Sequence, residues 1–175
     1  VYDSFLQRGY DMLMQDVSLD GLHVVLAVDR TGLVGADGET HHGCMDYLSQ
    51  IPGMTVLCPA SFAELRHMLR TALYECTGPV AVRYPRGGEG AYRDDCGGAP
   101  VSVLRPGADV CIVTCGVLVD QALAAAEQLA EEHIAARVVK LNRAAPLDMD
   151  AVCAALNGTK RLVVLEDQLR QGCMG

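Results

Sequence analysis

The side chains best suited to chemistry gather in two stretches, "DRTGLVGADGETHHG" over residues 29–43 and "RYPRG" over residues 83–87. Arg30 and Arg86 carry planar guanidinium groups that can grip a phosphate monoester in two-pronged fashion, provided the fold brings them together. Asp37 and His41 combine a carboxylate with an imidazole, a pairing able to receive a hydroxyl group and move its proton. Gly32, Gly35 and Gly38 let the backbone approach a ligand closely, or simply turn. A Walker-type phosphate loop needs Gly-Lys-Ser/Thr opening a helix and a dinucleotide loop needs GxGxxG; the stretch has neither. A metal reading would use His41, His42, Cys44 and Asp46, but adjacent ring side chains seldom converge on one ion, so no metal ligand is expected. Arg83 reads as an ion-pair partner. Arg8, in "FLQRGYD", reads either as a helix-surface residue or as part of a site wall.

These groups can act together only if regular elements place them side by side. Short, nearly continuous apolar runs recur at 23–30, 54–60, 78–85, 108–116, 136–142 and 160–167. Runs of that kind without polar alternation are strands buried on both faces, as in parallel sheets. Helical patterns lie between them: 61–76, opened by a Ser61/Glu64 capping box, then alanine-rich 120–132, then 148–156, stopped by Asn157-Gly158. Strand and helix in alternation predict an α/β fold of two open, mostly parallel-sheet units with right-handed crossovers. A glycine-rich stretch, "RGGEGAYRDDCGGAP", interrupts the rhythm at 86–100. It divides the chain into a first unit, 1–90, a linker, 91–101, and a second unit, 102–175. In open parallel sheets ligands collect beyond the carboxyl ends of strands. Asp29, Arg30 and the Arg83–Arg86 segment all follow apolar runs and so belong there, whereas the second unit offers only "TCG", "NRAAPLD" and "EDQ".

Composition bounds the rest. The chain has 175 residues, half of them apolar, which is enough for one sizeable core or two small ones. Its net charge of −8, spread along the sequence, argues against a nucleic-acid or anionic-membrane partner. Eight cysteines form no CxxC, and several sit inside apolar runs, as expected of reduced core residues in a cytoplasmic protein. No apolar run approaches membrane-spanning length, and the first residues lack the pattern of a signal peptide. The chain opens without Met, and it reads as a fragment of something longer.

In order and spacing, "FLQRGYD", "DRTGLVGADGETHHG", "IPGM" and "GPVAVRYPRG" resemble the second half of the pyrimidine-binding domain of the transketolase-like, thiamine-diphosphate-dependent family. The resemblance is strong over residues 1–90. More weakly, "NRAAPLD" and "VLEDQ" resemble the start of that family's C-terminal domain, with Ala145 where lysine often stands. The combined motifs are similar to the branch that condenses pyruvate with D-glyceraldehyde 3-phosphate, releases CO2 and makes 1-deoxy-D-xylulose 5-phosphate. That product feeds isoprenoid, thiamine and pyridoxal synthesis.

The resemblance implies a transferase that uses thiamine diphosphate and Mg2+ in the intact enzyme and works as a homodimer. It implies that Tyr2 and Phe5 surround the aminopyrimidine, with Arg8 nearby. Arg30 and Arg86, with Tyr2 in reach, would hold the aldehyde's phosphate; Asp37 would bond its hydroxyl, and His41 would transfer a proton near the thiazolium carbon. The segment after Asp46 is shorter than the family pattern, so a shortened helix is expected there. The family's upstream glutamate and its GDG…N metal motif do not occur in the sequence, so the fragment alone is expected to be inactive and to hold neither cofactor tightly. The alternatives are another transketolase-like subunit, a non-catalytic dimerising α/β unit and, last, a nucleotide-binding module whose glycine fingerprint is absent.

Overall fold

The computed structural model describes residues 1–38 and 46–167. Each apolar run becomes a strand: β1 (Val25–Val28), β2 (Thr55–Leu57), β3 (Val80–Arg83), β5 (Val110–Thr114), β6 (Ala136–Leu141) and β8 (Leu162–Leu165). Their valine-rich, unalternating composition suits strands covered on both faces, and β3 is buried along its whole length. With β4 (Val101–Arg105) and β7 (Arg143–Ala145), the strands build two sheets, one ordered β1-β3-β2-β7 and the other β4-β6-β5-β8. Pairing is parallel except at one edge of each sheet, where β7 meets β2 and β4 meets β6 antiparallel. The α/β fold with two open, mostly parallel sheets is therefore present.

The antiparallel edges are the two strands that the apolar runs did not reveal. β4 (Val101–Arg105) begins where the linker was expected to end. β7 (Arg143–Ala145) lies in "NRAAPLD" and contains no β-branched residue to announce it. β7 follows β6 of the second sheet in the chain yet pairs with β2 of the first, so the two sheets share a strand connection. A single apolar cluster accordingly runs through both, joining Val28, Val56 and Ala81 to Cys111, Val139 and Leu141.

The helices pack around this frame: α1 (Asp3–Leu6), α2 (Tyr10–Met12), α3 (Asp46–Ser49), α4 (Phe62–Tyr74), α5 (Val119–Glu131) and α6 (Met149–Leu156). The first residues lie alongside the end of β1. Tyr2 bridges Asp29 in parallel, with Asp29 N–H donating to Val1 O at 2.9 Å and Asp3 N–H to Asp29 O at 3.0 Å. That contact carries Tyr2 and α1 to the rim of the first sheet.

Ser61 caps α4 as its sequence predicts, accepting the Glu64 N–H at 3.1 Å. The Glu64 carboxylate does not close a simple capping box. It accepts from Ala60 N–H at 2.7 Å and from the Tyr92 hydroxyl at 2.9 Å, and it pairs with Lys140 of β6 at 2.9 Å. Both charges are fully buried. Lys140 also donates to Cys58 O and to Asn142 Oδ1. Tyr92 belongs to the glycine-rich connection, which is pinned again where Ala91 and Tyr92 N–H donate to Asp120 of α5.

A buried ion pair that loses one member costs about 3–5 kcal/mol, because the remaining charge has no compensation. Urea denaturation of Lys140→Met should therefore show a loss of that order. The double change Lys140→Met with Glu64→Leu should recover much of it. A single variant as stable as the original chain would mean that the pair does not hold the sheets together.

Candidate functional site

The site forms where β1 and β3 end. Beyond Val28 the chain places Asp29 and then Arg30, whose φ of 56° lies in the left-handed region that non-glycine residues seldom adopt. Three contacts hold it there. Arg30 Nε donates to Asp37 Oδ2 at 2.7 Å, Arg30 Nη1 donates to Asp29 Oδ2 at 2.7 Å, and the guanidinium carbon stands 4.0 Å from the centre of the Tyr2 ring. The hydrogen bond to Asp37, more than burial opposes it, pushes the Arg30 guanidinium above its already high range, and Tyr2 and Asp29 add to this.

Asp37 lies in a short 3-10 turn, Gly35–Asp37. Its second oxygen accepts from Arg86 Nη1. Arg86 follows β3 after Pro85, a residue that cannot extend the ladder. One carboxylate is thus gripped by two guanidinium groups from different loops. The Asp37 side chain is 15% exposed and that of Arg86 46%, so the fork opens on the Arg86 side. Two cations close enough to share one carboxylate are close enough to share the oxygens of a phosphate.

Next to the fork, Tyr2 and Phe5 stack with ring centres 5.5 Å apart and planes 20° apart. The Arg8 guanidinium lies 5.5 Å from the Phe5 ring. The fold therefore brings Tyr2, Phe5, Arg8, Arg30, Asp37 and Arg86 into one neighbourhood, while His41 lies outside the described residues. His42 and Cys44 lie outside them as well. Among the described residues no three His, Cys, Asp or Glu side chains gather as metal ligands. Arg86 also lines a groove of about 260 Å³ with Ser61, Phe62, Tyr84 and Asp120, at the N-terminal ends of α4 and α5.

Four supporting residues were not singled out as site residues by the sequence. Asp29 orients Arg30, and its Oδ1 is buried with no hydrogen-bond partner among the described residues. Asp3 is fully buried and accepts from Arg83 Nη2 at 3.1 Å and from the Tyr47 hydroxyl at 2.9 Å. Burial pushes the Asp3 carboxyl above its ordinary range, and the Arg83 charge and the Tyr47 hydroxyl offset this only in part. Burial would pull the Arg83 guanidinium down, but the facing Cys58 and Asp3 outweigh it and leave it raised. Asp167, just past β8, closes over Gly32: a Cβ there would meet its Oδ2 at 1.8 Å, at a φ of +75°. The close approach that Gly32 permits is to the chain's own carboxylate. For Asp29, Arg83 and Asp167 the sequence signal is their position at or just past a strand end, whereas Asp3, in α1, carries none.

Residues 1–88 match the model of the transketolase pyrimidine-binding domain, and residues 99–175 match that of the transketolase C-terminal domain. Over its whole length the chain is 45% identical to a 1-deoxy-D-xylulose-5-phosphate synthase of Anaeromyxobacter dehalogenans. It is 44% identical to 1-deoxy-D-xylulose-5-phosphate synthase 1 of Geobacter metallireducens. It spans 29% of the length of each of these relatives. A solved structure described as a split gene transketolase, inactive β4 tetramer, superposes with a TM-score of 0.86 at 29% identity, covering 98% of this chain and 57% of that one.

If the fork is an anion cradle filled by Asp37, then Asp37→Ala should bind inorganic phosphate about tenfold more tightly than the original chain, since a charge-assisted competitor has gone. Adding Arg86→Ala should abolish the gain. Calorimetric titration reads both, and equal phosphate affinity with and without Asp37 would remove the cradle.

Proposed function

This chain belongs to the transketolase family, and from that premise we propose that it supplies one wall of a thiamine-diphosphate-dependent enzyme that condenses pyruvate with D-glyceraldehyde 3-phosphate. The products are 1-deoxy-D-xylulose 5-phosphate, a precursor for isoprenoids, thiamine and pyridoxal, and CO2. The observation that carries the reading is the Arg30–Asp37–Arg86 fork. The names of the relatives, matched over the full length of the chain, favour this branch of the family.

In this reading the aldehyde's phosphate replaces the Asp37 carboxylate between the two guanidinium groups. The displaced Asp37 is then free to accept a hydrogen bond from the substrate's hydroxyl. Arg30 keeps its place through Asp29 and Tyr2, so the phosphate meets a donor that is already oriented. The stacked Tyr2–Phe5 rings, with Phe5 partly exposed, fit the flat face of an aminopyrimidine, and Arg8 edges the same wall. His41 would move a proton at the reacting carbon. Bound thiamine diphosphate would supply the carbon nucleophile and the electron sink for loss of CO2. The described residues offer no cluster for Mg2+, and no role here uses it. No described helix is long and apolar enough to cross a membrane. The proposed reading also assigns the reaction to the cytoplasm and to a homodimer.

The structural neighbour favours a second reading. A split-gene transketolase subunit described as an inactive tetramer suggests that this chain serves as a self-associating subunit that needs another polypeptide for catalysis. The chain by itself should then sediment as an oligomer and release no CO2 from pyruvate with thiamine diphosphate and Mg2+ added. Turnover by the isolated chain would overturn that expectation.

In the complete enzyme, Arg86→Ala should raise KM for glyceraldehyde 3-phosphate at least about tenfold and leave that for pyruvate nearly unchanged. Equal effects on both substrates would take Arg86 out of the phosphate site. His41→Ala should lower kcat with the fold intact, as circular dichroism would check; an unchanged kcat would remove His41 from proton transfer.

A further inference from the structure

Two thiols meet where the sheets join. Cys58 follows β2 of the first sheet and is 2% exposed; Cys115 follows β5 of the second and is 8% exposed. Both are free cysteines, and both belong to the apolar cluster that joins the two sheets. Together with Thr31, Arg83, Pro85 and Asp167 they line a pocket of about 10 Å³, room for about one water-sized molecule. Arg83 is buried there, and its Nε has no hydrogen-bond partner among the described residues. A buried guanidinium donor left open beside a thiol is an arrangement that favours the thiolate.

We propose that Cys58 and Cys115 form a peroxide-oxidisable dithiol site, with Arg83 as the cation that holds the reacting sulfur of Cys58. The two cysteines differ in the way such a pair requires. The Cys115 hydrogen bond draws the Cys58 thiol down despite its burial, helped by the charges of Arg83 and Lys140. The same hydrogen bond, burial and the charges of Cys58 and Asp167 push Cys115 up, so it keeps its proton. Cys58 is therefore the nucleophile and Cys115 the resolving thiol.

The oxidant is a small hydroperoxide such as hydrogen peroxide. The Cys58 thiolate attacks one peroxide oxygen, forming an S–O bond as the O–O bond breaks. The departing hydroxide takes a proton and leaves as water; sulfur is oxidised and peroxide reduced. The Cys115 sulfur then attacks the Cys58 sulfur, an S–S bond forms as the S–O bond breaks, and the Cys115 proton leaves with the hydroxyl as a second water. Two thiols and one peroxide give one disulfide and two waters. The disulfide ties the loop after β2 to the loop after β5 and removes the thiolate that would face Arg83; Thr31 and Pro85, which line the same pocket, are the chain neighbours of Arg30 and Arg86.

Stoichiometric hydrogen peroxide should be added to the whole chain, followed by thiol alkylation in denaturant and non-reducing peptide mass spectrometry. A peptide pair joined through Cys58 and Cys115 is expected, forming at least about tenfold faster than oxidation of the exposed Cys153. In Cys115→Ser the product should stop at a Cys58 sulfenic acid, trapped by a cyclic 1,3-dione. Cys153→Ser should form the joined pair at the original rate. Recovery of Cys58 and Cys115 as free thiols while Cys153 oxidises would overturn the proposal, and so would Cys58 joined to any other cysteine. The first measurement uses the unaltered chain, so it stands whether or not a variant folds.

Discussion

The alignment of everything at the strand ends depends on one buried interaction, the ion pair between Glu64 of α4 and Lys140 of β6. Taking a carboxylate and an ammonium out of water costs several kcal/mol for each ion, and attraction between them offsets this only when their remaining hydrogen-bonding capacity is also filled. Here it is filled. Ala60 N–H and the Tyr92 hydroxyl donate to Glu64, while Lys140 donates to Cys58 O and Asn142 Oδ1. The partners come from α4, β6, the glycine-rich connection and the loop after β2, so satisfying the two charges fixes four segments at once. With the sheets fixed in this way, β7 can pair with β2 and Asp167 can close over Gly32.

A second set of charges rises from this base toward the rim, and burial decides which of its contacts can open. Asp3 and Arg83 lie at the bottom, with side chains 0% and 4% exposed, so separating them would leave two charges unpaired away from water. Arg86 lies at the top and is nearly half exposed. An ion pair with so exposed a member contributes only about 0–1 kcal/mol. A phosphate dianion, able to bond both guanidinium groups with three oxygens, can therefore displace Asp37 from Arg86, whereas nothing of that size can displace Asp3 from Arg83. The lower pair supports the site and the upper pair exchanges partners within it.

Much of this could be read from the residues. The apolar runs gave all the parallel strands because burial on both faces leaves an unbroken hydrophobic signature, and Arg30 and Arg86 could be placed because ligands gather beyond such strands. β7 escaped because "RAA" carries no strand propensity; its pairing is imposed by the neighbouring sheet. The partner of Glu64 escaped because a lysine inside "ARVVKLN" looks like the polar end of a strand, and only the tertiary fold brings it to α4. Asp3 and Arg83, 80 positions apart, give no local sign of contact. Gly32 was legible as a point of close approach, but not the identity of what approaches it, since Asp167 arrives from the second sheet.

The left-handed conformation of Arg30 determines which part of the fork is fixed. Such a backbone state costs on the order of 1–3 kcal/mol outside glycine and persists only where the surroundings over-determine it. Among the described residues Arg30 has three restraints, in Asp29, Asp37 and the Tyr2 ring. When Asp37 departs, two remain, and Asp29 is itself tied to the first residues of the chain through the Tyr2 bridge. Among the described residues the Asp37 side chain has no comparable anchorage. It sits in a three-residue turn between glycines and is held by the same two guanidinium groups that an incoming anion would engage. The strain is thus stored on the residue that stays, and the freedom belongs to the residue that must leave. An anion entering the fork therefore meets Arg30 already in place and reorganises only the carboxylate that had been standing in for it.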